Sequence, residues 1–305
     1  MSDTRLKSSE DIRMGWVKET RGRRVLVEDV EGERVCFLSG HRAVVGDRVD
    51  WVVAQGEGGK IVGIQPRETV FERVDLRGRR QVLAANLGGL VVVTCPSDPP
   101  FRAGLLDRYV VSAHAANLDV LVLVNKLDLG IPEDVQVALD VRREVGLPVQ
   151  YVSTKTGEGL AEFRAWLTEA TTPHPWVLVG HSGVGKTSLM SAILPGTDVG
   201  AVGEVSAHWG TGQHTTSSSR WFQLEGGGGL VDSPGIRTFA PAGLEPDEVR
   251  VFFPGVSQLA CRYRDCCHRE GEDGCAGVDG VDRDLLSSYR RLYAEMEGIA
   301  KRTRR

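Results

Sequence analysis

The chain has 305 residues, 41% of them hydrophobic, and a formal net charge of −4. That length suggests two or three domains with real apolar cores, and the charge excludes a globally basic nucleic-acid binder, so any RNA contact must use local patches. The longest apolar runs, such as Val120 to Val124, are too short to span a bilayer, and Met1 to Glu10 is polar with no signal-peptide apolar region; the expected location is cytoplasmic.

Residues 12 to 66 read as a small all-β unit. Short apolar runs recur at Trp16-Val17, Val25-Leu26-Val27, Val35-Cys36-Phe37-Leu38, Trp51-Val52-Val53 and Ile61-Val62, separated by turns at Gly32, Gly46 and Gly58. About five short strands with tight turns predict an OB-type barrel, a fold that often binds oligonucleotides. Arg21, Arg23 and Arg24 lie beside its first turn, either as a solvated hairpin tip or as a nucleic-acid contact. Cys36 and Cys95 sit in apolar runs and read as small buried hydrophobes.

Pro66 to Thr69 reads as a boundary, which divides the chain into residues 1–67, 68–240 and 241–305. A second basic cluster follows at Arg73, Arg77, Arg79 and Arg80. Leu87 to Thr94 predicts a buried strand, Pro96 to Pro100 breaks it, and Leu105 to Ala116 predicts an amphipathic helix. Asp119 to Val124 is another buried strand. It delivers Asn125-Lys126-Leu127-Asp128 at its C-terminal end, where open α/β sheets put their ligands. Asn-Lys-x-Asp is the guanine-specificity pattern of GTPases. Asp128 would accept from the guanine N1–H and amine, a donor pair that adenine lacks. Asn125 would brace the loop, and the Lys126 stem would cover the purine. Pro148 to Val152 is the next strand, leading into Ser153-Thr154-Lys155, a match to the loop whose backbone reads the guanine O6.

Trp176 to Val179 then predicts a strand, followed by Gly180-His181-Ser182-Gly183-Val184-Gly185-Lys186-Thr187 and a helix start at Ser188. This is the P-loop pattern. Its glycines let successive backbone N–H groups form an anion nest, and the helix N-terminus adds to the same field. Lys186 can reach the β- and γ-phosphates, and the Thr187 hydroxyl can ligate Mg²⁺. The long Gly/Ser/Thr-rich stretch from Gly200 to Arg220 contains Gly212-Gln213-His214-Thr215-Thr216, where either threonine would sense the γ-phosphate through Mg²⁺. A hairpin then ends in Asp232-Ser233-Pro234-Gly235, which would put Asp232 near the metal and the Gly235 N–H on the γ-phosphate. The guanine motifs precede the P-loop, the reverse of the ordinary order, which reads as circular permutation.

Four cysteines lie between Cys261 and Cys275. Cys261, Cys266, His268 and Cys275 form a zinc-like set, with Cys267 competing for the place of Cys266. Between about Glu245 and Gly280 apolar residues are few, so a metal staple is expected. Ser287 to Ile299 predicts a helix, and Lys301, Arg302, Arg304 and Arg305 form a basic tail that contacts phosphate or frays.

With these residues in place, the chain closely resembles the ribosome small-subunit-dependent GTPases of the RsgA type. The resemblance runs over nearly the whole length and includes Val45-Gly46-Asp47, Ala84-Ala85-Asn86 and Leu105-Leu106-Asp107-Arg108-Tyr109. It implies a multi-domain α/β protein: an OB-fold β-barrel, a circularly permuted P-loop GTPase domain and a C-terminal zinc-binding domain with helices. It also implies GTP hydrolysis stimulated by the small ribosomal subunit during late maturation. The implied partners are GTP or GDP, with Mg²⁺, and the subunit and its rRNA; one structural Zn²⁺, a monomeric state and no membrane contact complete the expectation. The position after Asp-x-x-Gly is Ile236, which cannot orient water as a glutamine does; the resemblance offers His214 instead, with a ribosomal group or a merely packing loop histidine as the alternatives. The family's usual interval between the histidine and last cysteine is one residue shorter than Arg269 to Gly274, and Cys267 is an additional thiol. Rival readings are an RNA-binding switch with incidental hydrolysis and a P-loop kinase, for which the chain shows no acceptor pocket or lid sequence.

Overall fold

The structure, a computed structural model, describes residues 12–54, 58–74, 80–170, 173–194, 219–225, 229–232 and 244–303. The first five strands are β1 (Arg13–Arg21), β2 (Arg24–Asp29), β3 (Gly32–Leu38), β4 (Arg48–Ala54) and β5 (Gly58–Ile64). They follow the order β1-β2-β3-β5-β4, and pairing of β4 back to β1 closes a barrel. Alternation explains the closure: Val25 and Val27 of β2 point inward with Val17, Cys36, Val49, Trp51 and Ile61, while Arg24 points out. Burial pushes the Cys36 thiol up to about 11, so it packs as a small hydrophobe.

A hairpin of β6 (Val70–Val74) and β7 (Arg80–Ala85) comes next. The sequence showed only a basic cluster here, because Arg73 to Arg80 interrupts two apolar ends too short to reveal a period. Then β8 (Gly89–Thr94), β9 (Asp119–Val124), β10 (Val149–Tyr151), β11 (Trp176–Val179), β12 (Arg220–Gln223) and β13 (Gly229–Asp232) complete the sheet. The order β10-β9-β8-β11-β13 is parallel throughout, and β12 adds antiparallel. Strands buried on both faces read as continuous apolar runs, as Leu90 to Val93 and Val120 to Val124 do. One core covers each face of this sheet.

Helices α1 (Ala103–Ala115), α2 (Glu133–Glu144), α3 (Leu160–Ala170) and α4 (Lys186–Ile193) follow β8, β9, β10 and the P-loop. Helix α2 has no counterpart in the sequence reading: its buried residues are Val135, Leu139 and Arg142, too few for a clear apolar stripe. Successive strands are added toward one edge from β8 through β10 and toward the other from β11 on, so the boundary between β8 and β11 is the switch point where α/β sheets bind ligands.

Helices α5 (Pro246–Phe252) and α6 (Arg283–Thr303) flank the cysteine segment, with one short helical turn over Gly277–Gly280 between that segment and α6. A capping box between Glu245 and Glu248 starts α5. Helix α6 is longer than the periodicity of Ser287 to Ile299 indicated. Leu285, Leu286, Tyr289, Leu292, Tyr293 and Met296 of α6 pack with Val249, Phe253 and Val111 of α1. The apolar partner missing from residues 245–280 is therefore supplied by α6 and α1. Among the described residues no helix is long and apolar enough to cross a membrane.

Candidate functional site

The loops at the C-terminal ends of β9, β10 and β11 converge through one side chain. Asn125 follows β9 and is fully buried. Its Nδ2 donates to the Val184 carbonyl at 2.9 Å, and its Oδ1 accepts from the Thr154 N–H at 3.2 Å. Lys126 adopts the left-handed conformation, with φ of 63°, which turns the chain into a 3-10 turn over Leu127–Leu129. Its Nζ donates to the Asp98 carbonyl at 2.6 Å. Asp128 accepts from Ser153 Oγ at 2.7 Å and lies 3.4 Å from Lys155 Nζ. The Ser153 hydroxyl first, and then Lys155, hold its carboxyl below the usual carboxylate range. An ionised Asp128 only accepts hydrogen bonds, as a guanine N1–H and amine require.

On the other side of the switch point, β11 leads into the glycine loop. Gly185 has φ of +93°, and a Cβ there would lie 2.3 Å from Asn125 Nδ2. Glycine is needed for backbone conformation and for close approach together. Lys186 Nζ donates to the Gly180 and His181 carbonyls at 2.8 and 2.9 Å. His181, Ser182 and Gly183 lie along the loop, Val184 is buried beneath it, and Thr187 and Ser188 fall in the first turn of α4. Strand β13 runs parallel to β11 with Val231 opposite Val177, so Asp232 lies one residue further toward the loop. A hydroxyl from Thr187 and a carboxylate from Asp232 are hard oxygen donors suited to Mg²⁺. His214, Thr215, Thr216, Gly235 and Ile236 lie outside the described residues, as do Arg77, Arg79, Arg304 and Arg305.

Cys261, Cys266, His268 and Cys275 bring one ligand atom each to within 4.8 Å of one another. The sulfurs of Cys261, Cys266 and Cys275 lie 3.4, 3.6 and 3.5 Å from His268 Nδ1. A tetrahedral zinc ion with ordinary Zn–S and Zn–N bonds gives an S···N edge of about 3.5 Å, so the cluster has the size of a zinc site. Cys267 turns away, its sulfur 3.0 Å from Tyr293 Oη. The surrounding loop is held from outside. Glu272 accepts from the Cys267 and Arg269 N–H groups. Arg250 donates to the Cys266 carbonyl, Arg290 to the His268 carbonyl and Tyr289 to the Cys267 carbonyl.

Several motif residues acquire physical roles that the sequence left unstated. Asn86, with φ of 52°, donates to the Gly46 carbonyl and accepts from the Glu68 N–H. Asp47 forms a two-bond pair with Arg67. Asp107 pairs with Arg142 of α2, and the Tyr109 hydroxyl hydrogen-bonds the Gly180 backbone. Their signal was the local motif, but each partner lies 18 to 71 residues away in sequence and is absent from any short window around it.

Comparison with known proteins agrees with this geometry. The RsgA GTPase family model matches residues 64–241. A small ribosomal subunit biogenesis GTPase RsgA from Ectopseudomonas mendocina (strain ymp) is 39% identical over 293 residues, covering 90% of this chain and 83% of that protein. The protein so described from Chromohalobacter salexigens is 39% identical over 305 residues, covering 95% and 87%. The crystal structure of YjeQ from Thermotoga maritima superposes with a TM-score of 0.73 at 24% identity, covering 94% of this chain and 99% of that one. The crystal structure of YloQ, a circularly permuted GTPase, gives 0.70 at 20% identity, covering 96% and 98%. These two likenesses concern the fold. With the family model spanning the switch-point site and relatives matching along most of their length, the chain belongs to the RsgA GTPase family.

Proposed function

We propose that this GTPase is a late assembly factor of the small ribosomal subunit, binding its rRNA and hydrolysing GTP faster when bound to it. The observation that carries the nucleotide reading is Asn125, whose one amide joins the Val184 carbonyl to the Thr154 N–H. It locks the guanine-reading loops to the phosphate loop despite their reversed order in the chain. In this reading Asn125, Lys126, Leu127, Asp128, Ser153, Thr154 and Lys155 hold the base. Residues Gly180 to Ser188 hold the phosphates. Thr187, Asp232 and one of Thr215 and Thr216 hold Mg²⁺, which neutralises charge on the phosphates when bound. Lys186 places a cation where negative charge grows, and catalysis is mainly positioning and electrostatics. His214 and the Gly235 N–H are the proposed groups for the water and the γ-phosphate.

A structural Zn²⁺ on Cys261, Cys266, His268 and Cys275 fits the edge lengths of that cluster. Residues 1–67, 68–240 and 241–305 form the three proposed domains of a cytoplasmic monomer. The ribosomal part of the reading rests on the small ribosomal subunit biogenesis GTPases that are 38 to 40% identical to this chain. Phosphate release with and without purified small subunits tests it. The expected result is slow turnover alone and marked stimulation by the subunit. Rapid multiple turnover by the isolated protein, or indifference to the subunit, would overturn it.

A further inference from the structure

The barrel and the GTPase sheet meet along one strand pair. Strand β1 pairs with β12 at Glu19↔Arg220. Strand β12 pairs in turn with β13, where Arg220 stands opposite Asp232. Directly opposite residues of antiparallel strands share a face, with Cβ atoms about 5 Å apart. Glu19, Arg220 and Asp232 therefore form one row across three adjacent strands, with two carboxylates flanking one guanidinium.

Glu19 is a barrel residue only 4% exposed. Its carboxylate accepts two hydrogen bonds from Arg21 and lies 3.9 Å from Arg220 Nε. On the opposite face, buried Lys18 fastens the same strand pair. Its Nζ sits 3.4 Å from the centre of the Trp221 ring, donates to Gln223 Oε1 at 2.6 Å and pairs with Glu28 at 2.8 Å. Strand β12 is thus held on both faces by the barrel, while the strand at its other edge, β13, carries Asp232.

We propose that Arg220 is a positioning residue shared between the barrel and the magnesium-side carboxylate, with Glu19 drawing it away from Asp232 and so setting how readily Asp232 meets a divalent cation. This rests on the assignment of Asp232 to Mg²⁺. A guanidinium keeps its charge at every working pH, so it must be shared or displaced rather than neutralised. With Glu19 present, the buried carboxylate competes for Arg220. Without it, Arg220 turns to Asp232 and opposes the metal. Linkage makes the effect reciprocal: a cation at Asp232 releases Arg220 toward Glu19 and tightens the barrel on β12.

The test uses the full chain and a fluorescent non-hydrolysable GTP analogue, titrated with MgCl₂. Glu19→Gln should raise the half-saturating Mg²⁺ concentration about five-fold, at the low end of ordinary couplings. Arg220→Gln should lower it, and the double variant should behave like Arg220→Gln. A general loosening of the junction would not give opposite signs. In the wild type, Mg²⁺ with the analogue should slow amide exchange in β1 and β2, and Arg220→Gln should abolish that slowing. Asp232→Asn is the control for the assignment. If it leaves the Mg²⁺ dependence intact, the assignment fails and the coupling with it. If it weakens that dependence while Arg220→Gln changes nothing, the assignment stands and the coupling is overturned. Should Glu19→Gln not fold, the direction of the Arg220→Gln shift alone decides.

Discussion

Asn125 has no exposed surface, yet both ends of its amide are used. Such a side chain positions a site rather than touching solvent, and in the proposed reading the contacts to the base fall to Asp128. Asp128→Asn replaces a double acceptor with an amide that matches xanthine better than guanine. GTP affinity should fall and XTP affinity should rise; competition binding with both nucleotides checks this, and unchanged GTP binding would remove Asp128 from the guanine site. The pH dependence follows from the same contacts. Because the Asp128 pKa is depressed, first by Ser153, its charge is complete above the usual carboxylate range and is lost only as pH falls through the lowered value. Ser153→Ala should raise that value, so in a binding titration against pH its GTP affinity should begin to decline at a higher pH than that of the wild type. Among the thiols, Cys266→Ser should lose zinc and Cys267→Ser should keep it, since Cys267 faces Tyr293 and not the cluster. Elemental analysis decides, and the reverse pattern would exchange the two roles.

At the scale of elements, two ties carry more than their helices' own propensities. Arg142 of α2 donates twice to Asp107 of α1, and the two residues are 1% and 3% exposed. Breaking such a buried pair on one side leaves an uncompensated charge, at a cost of about 3–5 kcal/mol. Arg142→Met should lower the denaturation midpoint accordingly, and Asp107→Leu added to it should recover most of the loss; a midpoint unchanged by Arg142→Met would mean that the pair contributes nothing. The other tie joins α6 to the cysteine loop through Tyr289 and Arg290. Metal binding to such a loop becomes folding free energy. Chelation should therefore expose residues 261–275 to proteolysis, while the α6 core against α1 and α5 keeps that helix docked and nucleotide binding persists. Loss of the whole C-terminal region on chelation would show that the apolar packing alone cannot hold it.

For the whole molecule, the seating of the barrel depends on a crossing too close for a side chain. Gly46 has φ of +85°, and a Cβ there would lie 2.0 Å from the Ala85 carbonyl oxygen. The same crossing carries the Asn86 side chain to the Gly46 carbonyl and the Ala85 N–H to the Val45 carbonyl. Gly46→Ala should unseat the barrel by separating these backbones, giving new proteolytic cuts near residues 64–69 with nucleotide affinity retained. An unchanged cutting pattern would mean that the crossing tolerates a methyl group.

What the sequence determined by itself were the features whose chemistry is local. Gly180 to Thr187, Asn125 to Asp128 and the cysteine cluster each need a fixed spacing along a single loop, so they stand out in any window that contains them. The buried strands were legible for the same reason, since Leu90 to Val93 and Val120 to Val124 are apolar on both faces. Helix α2 and the β6–β7 hairpin were not, because three buried residues or two short apolar ends form no visible period. Only the tertiary structure decided which distant groups meet. Asn125 with Val184, Asp107 with Arg142, and Glu19 with Arg220 are joined by sheet order and strand register. Those are set by packing of the whole chain, and the identity of each partner follows from that packing rather than from any property of the residues beside it.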